Sequence, residues 1–281
     1  MQIMETGDPD QVVESEADQG NSPGQGPLVS IITVVFNGIK NIEATLLSVV
    51  NQSYKRIEYI VIDGGSTDGT VEIIKELETK IAYWVSEPDG GIYDAMNKGL
   101  ERATGQWINF MNSGDRFASV DVLELFNARN FDADILYGDA VIEYPTFQTY
   151  YERLPLKSLW RQMAFCHQAS FVRTSIMKEY RFDLNYKLSA DFDFMYKAYT
   201  SNKRFVYVNR LICFFDFKEG ASINNALQSI HERRDSVLKR GFGVDKWLYY
   251  FFFILYFNFS IIVKRIAGEK LTAWITRSLK K

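Results

Sequence analysis

Residues Glu58–Thr70 read EYIVIDGGSTDGT, an apolar, β-branched run that stops at an aspartate and breaks into glycine, serine and threonine. A short run of this kind, bounded by turn residues, reads as a strand buried on both faces. The turn that ends it leads into a helix predicted over Thr70–Lys80. The same grammar extends outward on either side. Val29–Phe36 (VSIITVVF) is a second buried strand. Asn41 follows as the N-cap of a helix over Ile42–Asn51, whose Ile42, Leu46, Leu47, Val49 and Val50 form one apolar stripe. Ile81–Ser86 and Trp107–Met111 are further strands, with a helix over Tyr93–Ala103 between them. Four β-α alternations predict an α/β chain built on a mostly parallel sheet with helices on both faces. Ligands of such sheets bind beyond the carboxyl ends of the strands, so the residues just after each strand are where chemistry belongs.

Three strands end in polar clusters: Asn37-Gly38, Asp63 through Gly69, and Asn112-Ser113-Gly114-Asp115. Turn and cap chemistry accounts for much of this, and Asp68, directly before a helix, is read as a cap. Asp63 and Asp115 are different, because each follows a buried strand on the same rim of the sheet. One carboxylate there can accept hydrogen bonds from a base or ribose. The other can hold Mg²⁺ or Mn²⁺, which needs only one or two protein carboxylates plus phosphate oxygens. The sequence has neither G-x-x-x-x-G-K-[ST] nor G-x-G-x-x-G after the first strand, which excludes a P-loop and argues against a dinucleotide fingerprint. What remains is a nucleotide site built from acidic strand ends.

These segments, taken in order, resemble family 2 glycosyltransferases of the GT-A fold. The likeness runs from Val29–Asn37 through Ile60–Thr70, Glu87–Gly99 and Ala103–Asp115 to Cys166–Arg173 and Leu188–Phe194, roughly residues 28–222. It implies a Rossmann-like sheet divided into a nucleotide-binding half (28–115) and an acceptor-binding half (116–222). It also implies inverting, metal-dependent transfer of a sugar from a nucleoside-diphosphate donor to a hydroxyl of a glycan or lipid-linked glycan. Carried over by position, Asp63 contacts the nucleobase or ribose, with Thr33 and Asn37 lining the same pocket. Asp115 binds the metal and Asn112 the ribose, and Asp94, Asn97 and Lys98 are candidates to touch the donor. The chain departs from the family pattern in having Asn112 and Gly114 at two acidic positions, Gly65 for a second aspartate, and Ala190 for a glutamate.

The resemblance makes Asp191 the general base. An alcohol is a poor nucleophile, and a carboxylate within hydrogen-bond reach can take its proton as it attacks. Asp191 also suits an N-cap of a helix over Phe192–Thr200, and the two roles are compatible. Asp193 is assigned a structural role. Of the two histidines, His167 is the acceptor-side candidate, beside Gln168 and at the start of a strand, and His231 the weaker one. Lys218–Ser222 resembles a loop that closes over the donor, which makes Ser222 a further acceptor-side candidate.

Composition sets limits on all this. The 281 residues are 47% hydrophobic and 15% aromatic, too apolar for global disorder. Two cysteines, Cys166 and Cys213, exclude a disulfide scaffold and fit a reducing compartment. The net charge of −3 gives no footprint for nucleic acid. It does hide an asymmetry: residues 1–27 carry six acids and no base, whereas residues 239–281 carry nine bases and two acids. The first stretch is predicted to be a disordered acidic tail. Within the helical segment 223–281, Trp247–Val263 is an aromatic run too short to span a bilayer without thinning it, and Arg265–Leu279 has the spacing of a basic amphipathic helix. The expected partner is a membrane surface, met from the cytoplasmic side, or a second copy of the chain through the same aromatics. Against the enzyme reading stands a non-catalytic sugar-nucleotide-binding or scaffolding protein with a degenerate metal motif. Asp63, Asp115 and Asp191 together favour the enzyme.

Overall fold

The run that opens the fold is hydrogen-bonded along both edges. Strand β1 (Val29–Val35) pairs in parallel with β2 (Ile57–Asp63), which pairs in parallel with β3 (Tyr83–Ser86); the other edge of β1 takes β4 (Trp107–Phe110), also parallel. All seven β1 residues are buried, as a central strand covered on both faces requires. The computed structural model describes residues 26–127, 131–217, 225–241 and 243–259.

Side-chain alternation along β1 splits the core in two. Ile31 and Val35 pack with Ile42, Leu46 and Val49 of α1 (Ile42–Val50) and Ile74 of α2 (Thr70–Glu76). Ile32 and Val34 pack on the opposite face with Met96 and Leu100 of α3 (Ile92–Arg102). Gly99 lets α3 lie close on β1, since a Cβ there would come within 2.5 Å of Ile32 Cγ2. Two local expectations change. The helix predicted to Lys80 ends at Glu76 and continues as a 3-10 turn over Glu78–Lys80. Asn41 occupies the N-cap position of α1 without a side-chain capping bond; the backbone N–H groups of Asn41 and Ile42 instead donate to Gly38 O.

Beyond β4 the sheet becomes mixed. β5 (Arg116–Phe117), β6 (Ile135–Glu143), β7 (Gln148–Tyr150), β8 (Ser170–Arg173) and β9 (Phe205–Asp216) complete the order β3-β2-β1-β4-β8-β6-β9-β5, with β7 antiparallel on β6. β8 is antiparallel to both β4 and β6, while β9 runs parallel to β6 and so carries Asp216 alongside Glu143. Helices α4 (Thr174–Tyr180), α5 (Ala190–Thr200), α6 (Ala226–Lys239) and α7 (residues 244–259) follow. Phe192, Phe194, Ile230, Val237 and Tyr250 join the core on the α3 side. The described part of the C-terminal segment therefore shares the core of the body. On its outer side α7 exposes Trp247, Leu248, Phe251, Phe252, Leu255, Tyr256 and Phe259. Among the described residues no helix is long and apolar enough to cross a membrane.

Several expectations lie outside the described residues: the tail up to residue 25, the Lys218–Ser222 loop with Ser222, and the amphipathic helix over Arg265–Leu279. Gly26 and Pro27, which the composition assigns to the tail, are in contact with the body: Gly26 is buried, and Tyr54 donates its hydroxyl to Pro27 O at 2.5 Å.

Candidate active site

The parallel register brings three strand ends to one rim. Val35, Asp63 and Ser86 stand side by side across β1, β2 and β3. Asp63 is fully buried and its Oδ2 accepts from Gly65 N (3.1 Å), Ser66 N (2.8 Å) and Ser86 Oγ (2.6 Å), while Oδ1 accepts from Ser66 Oγ. Asn37 closes the cradle, its N donating to Ser66 Oγ and its Oδ1 accepting from Thr67 N. Asp68 lies one residue before the N-cap of α2, which is Gly69, and accepts from Ile39 N and from the N and Oγ1 of Thr70; the Thr70 hydroxyl first, then the backbone donors, hold its carboxyl below the usual range.

Two predicted donor contacts are corrected. Thr33 is fully buried and its hydroxyl is shared between Tyr59 Oη and Met111 O, so it braces the sheet interior. Asn97 is buried and spends both ends of its amide on the backbone of Phe182, at 3.0 and 3.1 Å. The side-chain polar atoms of both residues are engaged inside the protein. Asp94 accepts from Gly90 N, and Lys98 pairs with Glu87 at 2.8 Å and donates to Pro88 O; together they pin the loop before α3.

At the end of β4 the chain turns through Gly114, whose φ of +102° suits glycine. The space beside it is taken by an acid from elsewhere in the chain: a Cβ on Gly114 would touch Asp216 Cβ at 3.4 Å. Asp216 N donates to Asp115 Oδ1 at 3.0 Å and Gln168 Nε2 to Asp115 Oδ2 at 3.0 Å. Burial pushes the Asp115 carboxyl up to about 7, against those two hydrogen bonds and the charge of His167. Among the described residues no group of three or more His, Cys, Asp or Glu gathers around a common point. Asp115 with Asp216 beside it nonetheless suits Mg²⁺ or Mn²⁺, which takes one or two carboxylates and completes its shell with phosphate and water. Sequence reading missed Asp216, and the only local signal was an acid closing a long aromatic strand.

The third cluster joins elements far apart in the chain. His167 opens a 3-10 turn, His167–Ala169, ahead of β8, a correction to the expected strand start. Asp191 lies in the first turn of α5, whose N-cap is Ser189 rather than Asp191. His167 Nδ1 is 3.2 Å from Asp191 Oδ2, and Tyr93 on α3 donates its hydroxyl to Asp191 Oδ1 at 2.8 Å. Burial works to raise the Asp191 carboxyl, but His167 and the Tyr93 hydroxyl outweigh it and hold Asp191 below the usual range. Burial works to lower His167, but Asp191, with Cys166 and Asp115, raises it to about 8. Tyr93 was not singled out from the sequence, because nothing near it announces a partner 98 residues away. Asp193 is structural as expected: Arg240 grips it with both terminal nitrogens, at 2.6 and 2.8 Å.

A cavity of about 600 Å³ adjoins the second and third of these clusters, though Asp63, Asp115 and Asp216 are not among its lining residues. Asn112, Gln168, His167 and Asp191 line it, together with Tyr93. Gln168 ties the lining to the carboxylate behind it, since its Oε1 accepts from Cys166 Sγ while its Nε2 donates to Asp115. Two buried polar atoms of this lining, Asn112 Oδ1 and His167 Nε2, have no hydrogen-bond partner among the described residues. Such atoms are rare in native proteins and call for a ligand or water. His231 is not part of the lining.

The model of glycosyl transferase family 2 matches residues 30–189 of the chain. An uncharacterised glycosyltransferase of Mycobacterium tuberculosis is 37% identical over 188 residues, which is 61% of this chain and 69% of that protein. A PGL/p-HBAD biosynthesis glycosyltransferase of Mycobacterium bovis is 30% identical over 182 residues, 62% of this chain and 71% of that one. Among solved structures, the mannosyltransferase PcManGT from Pyrobaculum calidifontis, in complex with GDP-Man and Mn²⁺, has a TM-score of 0.65 at 16% identity, covering 96% of this chain and 84% of the other. S. aureus TarS in complex with UDP-GlcNAc gives 0.62 at 18% identity, with 76% and 68% covered. At these identities the structural likeness is one of fold.

Proposed function

The chain belongs to glycosyl transferase family 2 and is a glycosyltransferase of GT-A fold, and on that premise we propose that it transfers a sugar, with inversion and with the help of a divalent metal, from a nucleoside-diphosphate donor to a hydroxyl of a glycan or lipid-linked glycan. The observation that carries this reading is the cavity of about 600 Å³ lined by Asn112 from the β4 end and by the Asp191–His167 pair, with Asp115 and Asp216 held behind its lining through Gln168. Donor and acceptor ends are built on separate elements, and Gln168 ties them together.

The nucleoside rests against the rim formed by Asp63, Asn37 and the Ser66 loop, where a base or ribose N–H or O–H exchanges with the donors that now occupy Asp63. Asn112, with its unpaired Oδ1, faces the donor from the β4 end. Asp115 and Asp216 would hold Mg²⁺ or Mn²⁺, which would neutralise charge on the diphosphate leaving group. Asp191 supplies the base. Its position is held from two sides by Tyr93 and His167, so the reacting hydroxyl meets a fixed, ionised group, and general base assistance of this kind contributes 10²–10⁴ in rate. The relatives' role in PGL/p-HBAD biosynthesis supports a cell-surface glycan or glycolipid as product.

Helix α7 lies on the cytoplasmic face of a membrane in this reading. Its outward face is aromatic, and the chain that follows it carries Lys264, Arg265, Lys270, Arg277, Lys280 and Lys281 against one acid, a balance that suits an anionic surface. The function is tested by calorimetry and nucleotide release with a panel of UDP- and GDP-sugars, with Mn²⁺ and with chelator. Donor binding with metal-dependent release of UDP or GDP is expected. Binding without any turnover, to water or to added glycans, would mark the non-catalytic alternative.

A further inference from the structure

A row of aromatic rings leads out of the cavity and ends on an exposed hairpin tip. Phe215 of β9 and Phe217 just beyond it line the cavity with Asp191 and Asn112, their ring centroids 6.3 Å apart. Tyr144, the first residue of the turn between β6 and β7, packs on Phe217 at 4.7 Å. Phe147, the last residue of that turn, stacks on Tyr144 at 4.4 Å with the two planes 15° apart. Its ring is the open end of the row, at 57% exposure. From this continuity, and resting on the glycosyl-transfer reading, we propose that Tyr144 and Phe147 form a subsite for a second sugar of the acceptor, next to the one whose hydroxyl meets Asp191. The acceptor is then a glycan of at least two sugars, and these two rings determine the preference for its length.

Strand register puts the rings on the cavity side of the sheet. Ile142 of β6 pairs with Phe215 and lines the cavity, so by the two-residue alternation Tyr144 and Phe217 follow on the same face. Glu143 pairs with Gln148 and faces the other way, where Arg116 and the Gln148 amide both donate to its carboxylate. The turn is closed by Tyr144 N donating to Phe147 O at 2.9 Å, and Pro145 inside it fixes one backbone angle. The tip is therefore set before a ligand arrives, and a pre-formed surface loses little entropy on binding. A pyranose has a face of C–H groups and a rim of hydroxyls, so it suits a flat aromatic ring with polar groups at the edge. Exposed Thr149, paired with Ile142, and exposed Glu152, which lines the cavity, supply that edge. A second copy of the chain would call for a broad apolar patch, whereas the exposed neighbours of Phe147 include Thr146, Gln148 and Thr149.

Calorimetric and saturation-transfer NMR titrations of the full chain, with UDP and Mn²⁺ present, test the proposal. The probes are methyl glycosides of mannose, glucose, galactose, N-acetylglucosamine, rhamnose and fucose, each set against disaccharides that end in the same sugar. At least one disaccharide should bind roughly tenfold more tightly than its monosaccharide. Phe147→Ala should erase that difference by weakening the disaccharide, and Phe147→Trp, which restores a flat ring, should keep it. Tyr150 is 70% exposed but pairs with Val141 on the opposite face, so Tyr150→Ser should leave the preference unchanged. Equal affinity throughout the panel, a preference that survives Phe147→Ala, or its equal loss in Tyr150→Ser would overturn the proposal. So would an oligomer that Phe147→Ala disperses in sedimentation velocity, which would make the ring a contact between copies. UDP and GDP binding with Mn²⁺ is titrated separately. Its absence beside an intact disaccharide preference would overturn the glycosyl-transfer reading and leave the sugar subsite standing.

Discussion

Gln168 Nε2 donates to Asp115 Oδ2 at 3.0 Å. The bond links the end of β4, where the metal-side carboxylate sits, to the turn that carries His167 and, through it, Asp191.

Asp115→Asn should abolish Mn²⁺-dependent binding of UDP- and GDP-sugars while preserving the fold. The sign of its stability effect follows from the raised carboxyl. A group at about 7 when folded, against 3.8 when unfolded, favours the folded state at low pH and loses that contribution as pH rises between those values. Ionisation of this buried group opposes folding by up to about 4 kcal/mol at neutral pH and above. Without metal, the variant should therefore unfold at a temperature no lower than wild type at pH 8. Calorimetric titration with donor and thermal unfolding check the two halves of the prediction.

Asp191→Asn keeps the size of the side chain and removes its proton affinity. Transfer should fall by roughly 10²–10⁴ with donor affinity nearly unchanged. A purely structural residue would show a shifted melting temperature and an intact rate.

His167 sets the pH dependence of that step. Held at about 8, it is charged at neutral pH and depresses the basicity of Asp191. As pH rises through about 8 the charge is lost, so the rate should increase between pH 7 and 9. The ion pair stabilises the fold fully only below the unfolded value of about 6.5, and that contribution declines as pH rises through about 8. His167→Gln should flatten the rate profile. An unchanged profile in the variant would remove His167 from the step.

Asp63→Ala leaves the N–H groups of Gly65 and Ser66 and the Ser86 hydroxyl without their acceptor. Losing buried hydrogen bonds to a charged group costs about 1.5–3 kcal/mol each before relaxation. The nucleoside rim should loosen, lowering affinity for UDP and GDP tenfold or more with little effect on the rate at saturating donor. Equal nucleotide affinity in variant and wild type would displace the base-binding role from Asp63.

Tyr250→Ala separates the two faces of α7. Tyr250 is 1% exposed and bonded to Trp160 O, so the substitution should cost about 3–5 kcal/mol of stability, as large core truncations do. Phe252→Ser, on the outer face, should leave the melting temperature within a degree or two and reduce sedimentation with anionic vesicles. Chemical denaturation and vesicle sedimentation on both variants test the contrast.

What the sequence determined by itself was local. Val29–Val35 and Ile57–Asp63 are strands because unbroken β-branched runs cannot be solvated, and the glycines, serines and aspartates that follow them must turn the chain. That pattern puts Asp63, Asn112 and Asp115 just beyond the ends of parallel strands, on one rim. Only tertiary structure decided what each polar group does, because a buried hydrogen-bonding atom takes whatever partner packing delivers, however distant in the chain. Thr33 and Asn97 sat in plausible positions and were claimed by Met111 and Phe182. Asp216 arrived beside Asp115 from 101 residues away, because β9 lies parallel to β6 and ends at the same rim. Asp191 was legible as an acid at a helix start, but its engagement by Tyr93 and His167 arises where α3, α5 and the turn before β8 converge, and no local pattern encodes that convergence.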